Sequence, residues 1–245
     1  MPRLSVDIDL TYLPIESRAK TILGIHKALL QISKDVKSEL KSTYPKIKVV
    51  SDNQQQKLIK LIIFNGTTQV KVEPNFTIRG EIFKSKYISI SESVKNEFGL
   101  DLETKVMSIP DIYGGKICAA LDRQHPRDLF DVKYMLEKYG LSEQIRQAFV
   151  VYLISHSRPM AELLRPNFQN INNIFENQFK GMAKDDVSCD ELIQTRELLV
   201  KTIHKELTAN ERNFLISIKL GEPRWDLLPI KGIDQLPAVK WKLQN

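Results

Sequence analysis

The fold is decided by the first ten residues, Met1-Pro-Arg-Leu-Ser-Val-Asp-Ile-Asp-Leu10. Every second residue from Leu4 to Leu10 is apolar, which is the period of a half-buried β-strand. Asp7 and Asp9 then point together from the other face, with their Cβ atoms roughly 7 Å apart. Two such carboxylates repel each other, and a divalent cation removes the repulsion because Mg²⁺ prefers hard oxygen ligands. The pattern favours either a metal-binding strand or an edge strand with two solvated acids.

The composition describes a globular chain with a mild basic excess. It has 245 residues, 42% of them hydrophobic, a net charge of +6 and a pI near 9.1. This charge permits a polyanionic partner without requiring one. Cys118 and Cys189 are too few for a disulfide framework, and we expect both to be thiols in a reducing cytosol. The apolar runs are too short to span a bilayer, and no signal peptide is recognised. We therefore expect a cytoplasmic protein that does not contact a membrane.

The remaining periodicities predict an α+β protein in which strands come first and helices follow. Strands are predicted at 46–51, 57–64, 67–77 and 87–90, and Asn65-Gly66 between two of them is a strong hairpin signal. Helices are predicted at 17–42, 111–123, 127–136, 142–155, 170–179, 189–207 and 208–220. The tail from Trp225 to Trp241 is predicted to be irregular and packed on the body. We place a domain boundary near Gly140, between a mixed core at 1–140 and an all-helical domain at 141–245.

A third acid lies on the second arm of the hairpin. Glu73 and Lys71 share the face that Val70 and Val72 do not. With Asp7 and Asp9, Glu73 completes the ligand set of a two-metal nucleotidyl-transfer site. It could also act as the general base for the attacking hydroxyl, or simply pair with a lysine on a neighbouring strand.

Charged residues recur in the segment 111–131. A cation beside the leaving pyrophosphate is expected at such a site, and Lys71, Lys116 and Arg123 are the candidates. Asp128 could orient Lys116 or touch the nucleotide, although its place in the first turn of a helix explains it nearly as well. Arg127 and Asp131 are at i and i+4, so a salt bridge is their simplest role. His125 precedes Pro126 and is predicted to be a helix cap.

Three segments resemble the AbiEii/AbiGii toxin family, also called MenT-like, of the DNA-polymerase-β-like nucleotidyltransferase superfamily. They are Arg3-Leu-Ser-Val-Asp-Ile-Asp-Leu10, Val70-Lys-Val-Glu73 and the stretch from Asp111 to Asp131 with its Lys116 and Arg-Asp-Leu-Phe-Asp signature. The ending Leu236-Pro-Ala-Val-Lys-Trp-Lys-Leu243 also looks familial. The resemblance implies Mg²⁺ or Mn²⁺ on Asp7, Asp9 and Glu73. It also implies catalytic roles for these three with Lys116 and Asp128, and nucleotide binding by Lys71, Lys116, Arg123, Arg127 and Asp131.

The resemblance also implies a biological role. Proteins of this family are toxins of bacterial toxin–antitoxin or abortive-infection systems, and the fold expected is a mixed-sheet core followed by a helical lobe, with the active site in the cleft. The expected reaction moves a nucleotide from a nucleoside triphosphate to an acceptor, with RNA, and tRNA above all, as the expected substrate. The expected partner is an AbiEi-type DNA-binding antitoxin.

One feature of the superfamily is missing from the sequence. A Gly-Gly or Gly-Ser/Thr turn precedes the acidic strand in that superfamily, and its N–H groups hold the triphosphate. Here Met1 lies only a few residues before Asp7, so we expect a core that is N-terminally truncated relative to the family. Gly114-Gly115 cannot replace the turn by position. Two alternatives stay open: a small-molecule nucleotidyltransferase of the aminoglycoside type, and an inactive remnant that acts only by binding.

Overall fold

The computed structural model describes residues 3–5, 7–44, 48–54, 57–76 and 78–244. Val6, Lys46, Ile47 and Thr77, which the predicted strands include, lie outside these residues. The strands are β1 (Asp7–Thr11), β2 (Lys48–Gln54), β3 (Lys57–Phe64), β4 (Gln69–Asn75), β5 (Lys86–Ser89) and β6 (Glu103–Val106). The helices are α1 (Arg18–Leu40), α2 (Glu92–Phe98), α3 (Ile109–Asp122), α4 (Pro126–Lys138), α5 (Glu143–Ile154), α6 (Met160–Leu164), α7 (Asn172–Gln178), α8 (Cys189–Glu206), α9 (Ala209–Lys219) and α10 (Pro237–Gln244). The predicted α+β class is confirmed.

The chain divides into two compact units. Residues 1–80 with 235–238 form the N-terminal unit, and residues 81–234 with 239–245 form the C-terminal unit. The domain boundary that the sequence predicts near Gly140 is a different division and stays a prediction.

The N-terminal unit is built on a four-stranded mixed sheet in the order β1-β4-β3-β2. β1 runs parallel to β4, while β3 is antiparallel to both of its neighbours. One face of this sheet packs on α1, where Ile25 and Leu29 of the helix meet Leu61 and Val72 of the sheet in a buried cluster. The predicted alternation therefore holds, and Asp7 and Asp9 lie on the face away from this core.

The long helix α1 is fixed at its start and along its buried side. Ser17 caps it by accepting a hydrogen bond from the Lys20 N–H at 3.4 Å. Thr21, Ile25 and Leu29 are spaced by four residues and are buried, as one stripe of an amphipathic helix requires. Tyr12 lies against Gly24, where an added Cβ would come within 2.3 Å of the Tyr12 hydroxyl. A side chain at position 24 would require the Tyr12 ring to move away from the helix.

The predicted hairpin between β3 and β4 is confirmed, with a turn one residue further along. The Asn65 N–H donates to the Thr68 carbonyl at 3.2 Å, so Gly66 and Thr67 form the centre of the turn. Gly66 has φ of +107°, a conformation that glycine adopts without strain. The Asn65 side chain accepts from the Thr67 and Thr68 N–H groups and holds the turn closed.

The C-terminal unit is helical apart from the two-stranded ribbon of β5 and β6. Its central helix is α5, whose residues 148–154 are all buried. α3 crosses α5 at Gly114, where an added Cβ would meet the backbone of Ala148 at 2.9 Å. Gly114 thus permits a close helix crossing, which explains a glycine inside a helix that carries no turn.

The sequence missed several elements of this unit. The helices α2 and α6 and the strand β6 were not predicted. Every residue of α2 and of β6 is at least partly exposed, so neither of these two shows a clear apolar face. The tail is partly ordered, with two short 3₁₀ helices, Trp225–Leu227 and Ile233–Gln235, before α10. Leu228 and Ile233 are buried, which confirms that the tail packs on the body. Within the described residues, no helix has the length and apolar character needed to cross a membrane.

Candidate active site

The three predicted carboxylates lie on one face of adjacent strands. In the parallel register of β1 and β4, Asp7 lies opposite Lys71 and Asp9 lies opposite Glu73. Register partners on neighbouring strands point to the same face across about 5 Å. The sheet therefore presents Asp7, Asp9, Lys71 and Glu73 together, on the side that α1 does not cover.

Two lysines neutralise part of this acidic group. Lys71 Nζ lies 3.7 Å from Asp7 Oδ1, and Lys60 Nζ on β3 lies 3.8 Å from Glu73 Oε1. These distances are those of loose ion pairs without a hydrogen bond. Asp9 is exposed, and among the described residues no ion pair reaches its carboxylate.

Asp7 carries an unsatisfied oxygen. Its Oδ1 atom is buried and accepts no hydrogen bond from the described residues, and the Lys71 ammonium at 3.7 Å is its neighbour. A buried carboxylate oxygen without a hydrogen bond is unfavourable. A divalent cation supplies the ligand that such an oxygen lacks, and the donor set of three carboxylates matches the hard-oxygen preference of Mg²⁺ or Mn²⁺.

The carboxylates are close but do not yet form a closed metal cage. In the part of the chain that the structure describes, no group of three or more His, Cys, Asp or Glu side chains is arranged to hold a metal ion. The assignment of Asp7, Asp9 and Glu73 as metal ligands stays a prediction. What the residues provide is a shared face, an unpaired buried oxygen and two lysines at ion-pair distance.

The second group of predicted residues meets on α3 and α4. Lys116 Nζ donates to Asp131 Oδ2, and Arg123 makes a two-pronged contact with Asp128 through Nε at 2.6 Å and Nη2 at 2.9 Å. Asp128 and Asp131 are buried, whereas the Arg123 side chain is 64% exposed. Bidentate arginine–carboxylate pairs fix geometry as well as charge. The prediction that Asp128 orients Lys116 is replaced by this pairing, in which Asp131 holds Lys116.

The ends of these helices explain why the groups meet. His125 caps α4, with its Nδ1 accepting from the Arg127 N–H at 3.1 Å, as the sequence predicts. This N–H is the contact that the structure gives for Arg127, whose predicted nucleotide-binding role stays a prediction. Pro126 occupies the first position of the helix. The turn between α3 and α4 is short, so side chains on the facing sides of the two helices come within contact distance.

Sequence reasoning missed the buried acid that anchors α3. Asp111 accepts hydrogen bonds from the N–H groups of Ile82 and Phe83 and from the hydroxyls of Ser108 and Tyr152. Burial, with the Asp111 charge beside it, raises the pKa of the Tyr152 hydroxyl. The signal in the sequence is Ser108-x-x-Asp111, a helix N-terminal pattern in which the acid faces inward.

One tyrosine near the Lys116 pair is excluded as a base. Burial, with Tyr139 nearby, raises the pKa of Tyr113 to about 12, and the two rings lie 5.6 Å apart between centroids. The Tyr113 hydroxyl is therefore protonated at neutral pH. Its contribution is packing beneath the α3–α4 pairs.

Comparisons with known proteins identify the family and a similar fold. A sequence model of the family described as nucleotidyl transferase AbiEii toxin, type IV toxin–antitoxin system, matches residues 1–245. The solved structure of MenT4, a nucleotidyltransferase toxin from Mycobacterium tuberculosis H37Rv, is similar in fold, with a TM-score of 0.59 and 14% identity over 87% of this chain and 72% of that chain. No curated protein sequence matches the chain. This chain belongs to the AbiEii family of nucleotidyltransferase toxins of type IV toxin–antitoxin systems.

Proposed function

We propose that this nucleotidyltransferase toxin uses a divalent metal, Mg²⁺ or Mn²⁺, to move a nucleotide from a nucleoside triphosphate to an RNA acceptor, with tRNA as the acceptor. The observation that carries the proposal is the register of β1 and β4, which sets Asp7, Asp9 and Glu73 on one face. The unsatisfied Asp7 Oδ1 supports a cation there. The family supports the nucleotide substrate and an antitoxin partner.

Asp7, Asp9 and Glu73 would hold the metal. When bound, the metal supplies charge to the triphosphate oxygens and lowers the barrier to in-line displacement at phosphorus. The loose pairs with Lys71 and Lys60, at 3.7 and 3.8 Å, let both carboxylates exchange an ammonium for another cation. Close and buried pairs would resist that exchange.

Side chains of the chain are proposed to accept the proton of the acceptor hydroxyl and to bind the pyrophosphate that leaves. The acceptor hydroxyl oxygen forms a bond to the α-phosphorus while the bond from phosphorus to the pyrophosphate oxygen breaks. In the alternative in which Asp7 and Asp9 alone hold the metal, Glu73 takes the hydroxyl proton as general base. Lys116 and Arg123 bind phosphate oxygens and offset the charge that develops on pyrophosphate. Asp131 and Asp128 keep these two cations in place.

The choice of RNA rests on charge and on the family. A net charge of +6 is compatible with a polyanionic acceptor, and the resemblance to the family implies RNA. An antitoxin of the AbiEi type is the proposed partner, and a cytoplasmic location is proposed with it, because the acceptor and the antitoxin gene product are found there.

The test is transfer of labelled nucleotide to purified tRNA by the full chain with Mg²⁺. Asp9→Asn is expected to lower the rate at least about 10³-fold, the size expected when a charge on the reacting centre is lost, without changing stability, because Asp9 is exposed. Glu39→Gln is the matched control, since it removes one exposed acid from α1 in the same unit. Equal rates for both variants, or label on small molecules but never on RNA, would contradict the proposal.

A further inference from the structure

We propose that Arg79 and the first turn of α1 form a binding site for a phosphate group, on the α1 side of the sheet rather than on its acidic face. This site lies within the N-terminal unit and does not depend on the proposed reaction. Its parts are the Arg79 guanidinium, the N-terminal backbone of α1 and the side chain of Arg18.

The first observation is a buried cation with almost no partners. Arg79 is only 7% exposed. Of its five N–H donors, Nη1 donates to Thr21 Oγ1 at 2.9 Å, and Nε is buried without a hydrogen bond among the described residues. No carboxylate of the described residues forms an ion pair with it. A buried charge in this state is strongly unfavourable unless an anion or water completes it.

The second observation is the direction of the guanidinium. Thr21 is in the first turn of α1 and is itself buried, so the hydrogen bond to its hydroxyl fixes Arg79 beside that turn. α1 runs from Arg18 to Leu40 and has no acid in its first turn. The Lys20 N–H is capped by the Ser17 side chain, and the Thr21 N–H donates to the Ser17 carbonyl. The N–H groups of Arg18 and Ala19 are therefore the ones at this end that the helix leaves without an acceptor, and the helix dipole favours an anion beside them.

The local charge selects an anion of high charge. Burial lowers the pKa of the Arg79 guanidinium, and the charge of Arg18, exposed at the first helical position, acts in the same direction. Like charges held together at the positive end of a helix destabilise the unit until an anion joins them. A phosphate group satisfies the arginine fork and backbone N–H groups at once, because it presents several oxygens and up to two negative charges.

The phosphate can come from a nucleoside triphosphate or from the backbone of an RNA. Both sources share the chemistry that Arg79 recognises. ATP and a short RNA, used as competitors of inorganic phosphate, distinguish the two sources.

The first experiment measures thermal unfolding of the full chain in EDTA, so that no metal can bring phosphate to the acidic face. Sodium phosphate is compared with sodium chloride at equal ionic strength. At about ten times the dissociation constant, we expect phosphate to raise the midpoint by about 3 °C. Arg79→Lys keeps the charge but not the fork and should lose most of the shift.

Arg18→Gln keeps the test decisive if Arg79→Lys fails to fold. Arg18 is exposed, and its loss is expected to halve the shift or reduce it further. Lys27→Gln, which removes one exposed charge from the middle of the same helix, should retain the full shift. Equal midpoints in phosphate and chloride for the unaltered chain would overturn the proposal, as would an unchanged shift in Arg18→Gln.

The second experiment adds ATP or a short RNA without terminal phosphates, again in EDTA, and follows displacement of phosphate. Displacement of phosphate by one of the probes supports the site and shows which molecule supplies the phosphate group. Failure of both probes overturns the assignment to a phosphate ester. Asp9→Asn should keep the full phosphate shift although it loses nucleotide transfer. Failure of this proposal is thereby distinguished from failure of the proposed reaction.

Discussion

The acidic face of β1 and β4 and the facing sides of α3 and α4 both carry pairs of acidic and basic side chains. The pairs on the strands are long, and those between the helices are close. On the strands, the Lys71 and Lys60 ammonium groups lie 3.7 and 3.8 Å from carboxylates whose side chains are 25% and 38% exposed. Between the helices, Arg123 Nε donates to Oδ2 of the buried Asp128 at 2.6 Å, and Lys116 Nζ donates to Oδ2 of the buried Asp131. Ion pairs beyond hydrogen-bond distance contribute little to stability, and close pairs whose carboxylate side chain is almost fully buried resist separation. The strands thus keep their charges available, and the helices hold theirs in place.

The largest expected effect is loss of the Lys116 pair. Lys116→Met leaves the Asp131 carboxylate, 7% exposed, without its ammonium, and we expect the free energy of unfolding to fall by about 2 kcal/mol. Urea denaturation measures it. The double variant with Asp131→Leu removes both charges and should recover most of the stability but none of the transfer activity. Recovery of activity in the double variant would make the pair structural only.

Arg123→Gln should have a smaller effect. The Arg123 side chain is 64% exposed, so solvent screens the pair, and Asp128 remains in the first turn of α4, where the helix dipole favours a negative charge. We expect a loss of about 1 kcal/mol in the same denaturation experiment. A loss as large as that of Lys116→Met would mean that both pairs hold the helices equally.

The strand pairs should contribute least to stability and most to metal binding. Lys71→Met is expected to change the free energy of unfolding by less than about 0.5 kcal/mol. Because the ammonium competes for Asp7 Oδ1, the variant should reach half-maximal transfer at a several-fold lower Mg²⁺ concentration. If Lys71 binds the nucleotide instead, the KM for the triphosphate rises and the Mg²⁺ dependence stays as it was. Lys48→Met, on β2, removes a lysine from the same sheet and is the control.

The sequence predicts the face of the sheet on which the acidic residues lie. Alternation along β1 and β4 was enough to place Asp7, Asp9 and Glu73 on the polar face. The hairpin turn is shifted by one residue from Asn65-Gly66, which moves the register of β3 on β4 by two residues. A shift by two keeps every side chain on its face, so the prediction for Glu73 was unaffected.

Pairings between distant segments could not be predicted in this way. Nothing local indicates that β4 separates β1 from β3, and this order is what brings Asp9 opposite Glu73. On the helices, the spacing of Lys116 and Arg123 allows either one to meet Asp128 or Asp131. Only the packing of α3 and α4, with α3 seated on α5 through Gly114, decides the matter. Long-range packing selects among pairings that the sequence leaves equally possible.

The smallest expected effect is a change in the pH dependence of stability, caused by a histidine at the end of α3. His156 lies 3.6 Å from Asp122 at the end of α3, beside Arg158. Burial is the main cause that lowers its pKa, and Arg158 and Lys242 act in the same direction, while Asp122 opposes them. The folded state then binds a proton at His156 less readily than the unfolded chain, so stability present above pH 6.5 is lost as the pH falls. We expect His156→Gln to flatten the decline of the unfolding midpoint between pH 7 and pH 5. This change in the midpoint should be smaller than the one that Arg123→Gln causes at neutral pH. An unchanged slope would show that the Asp122 carboxylate compensates fully for the burial of His156.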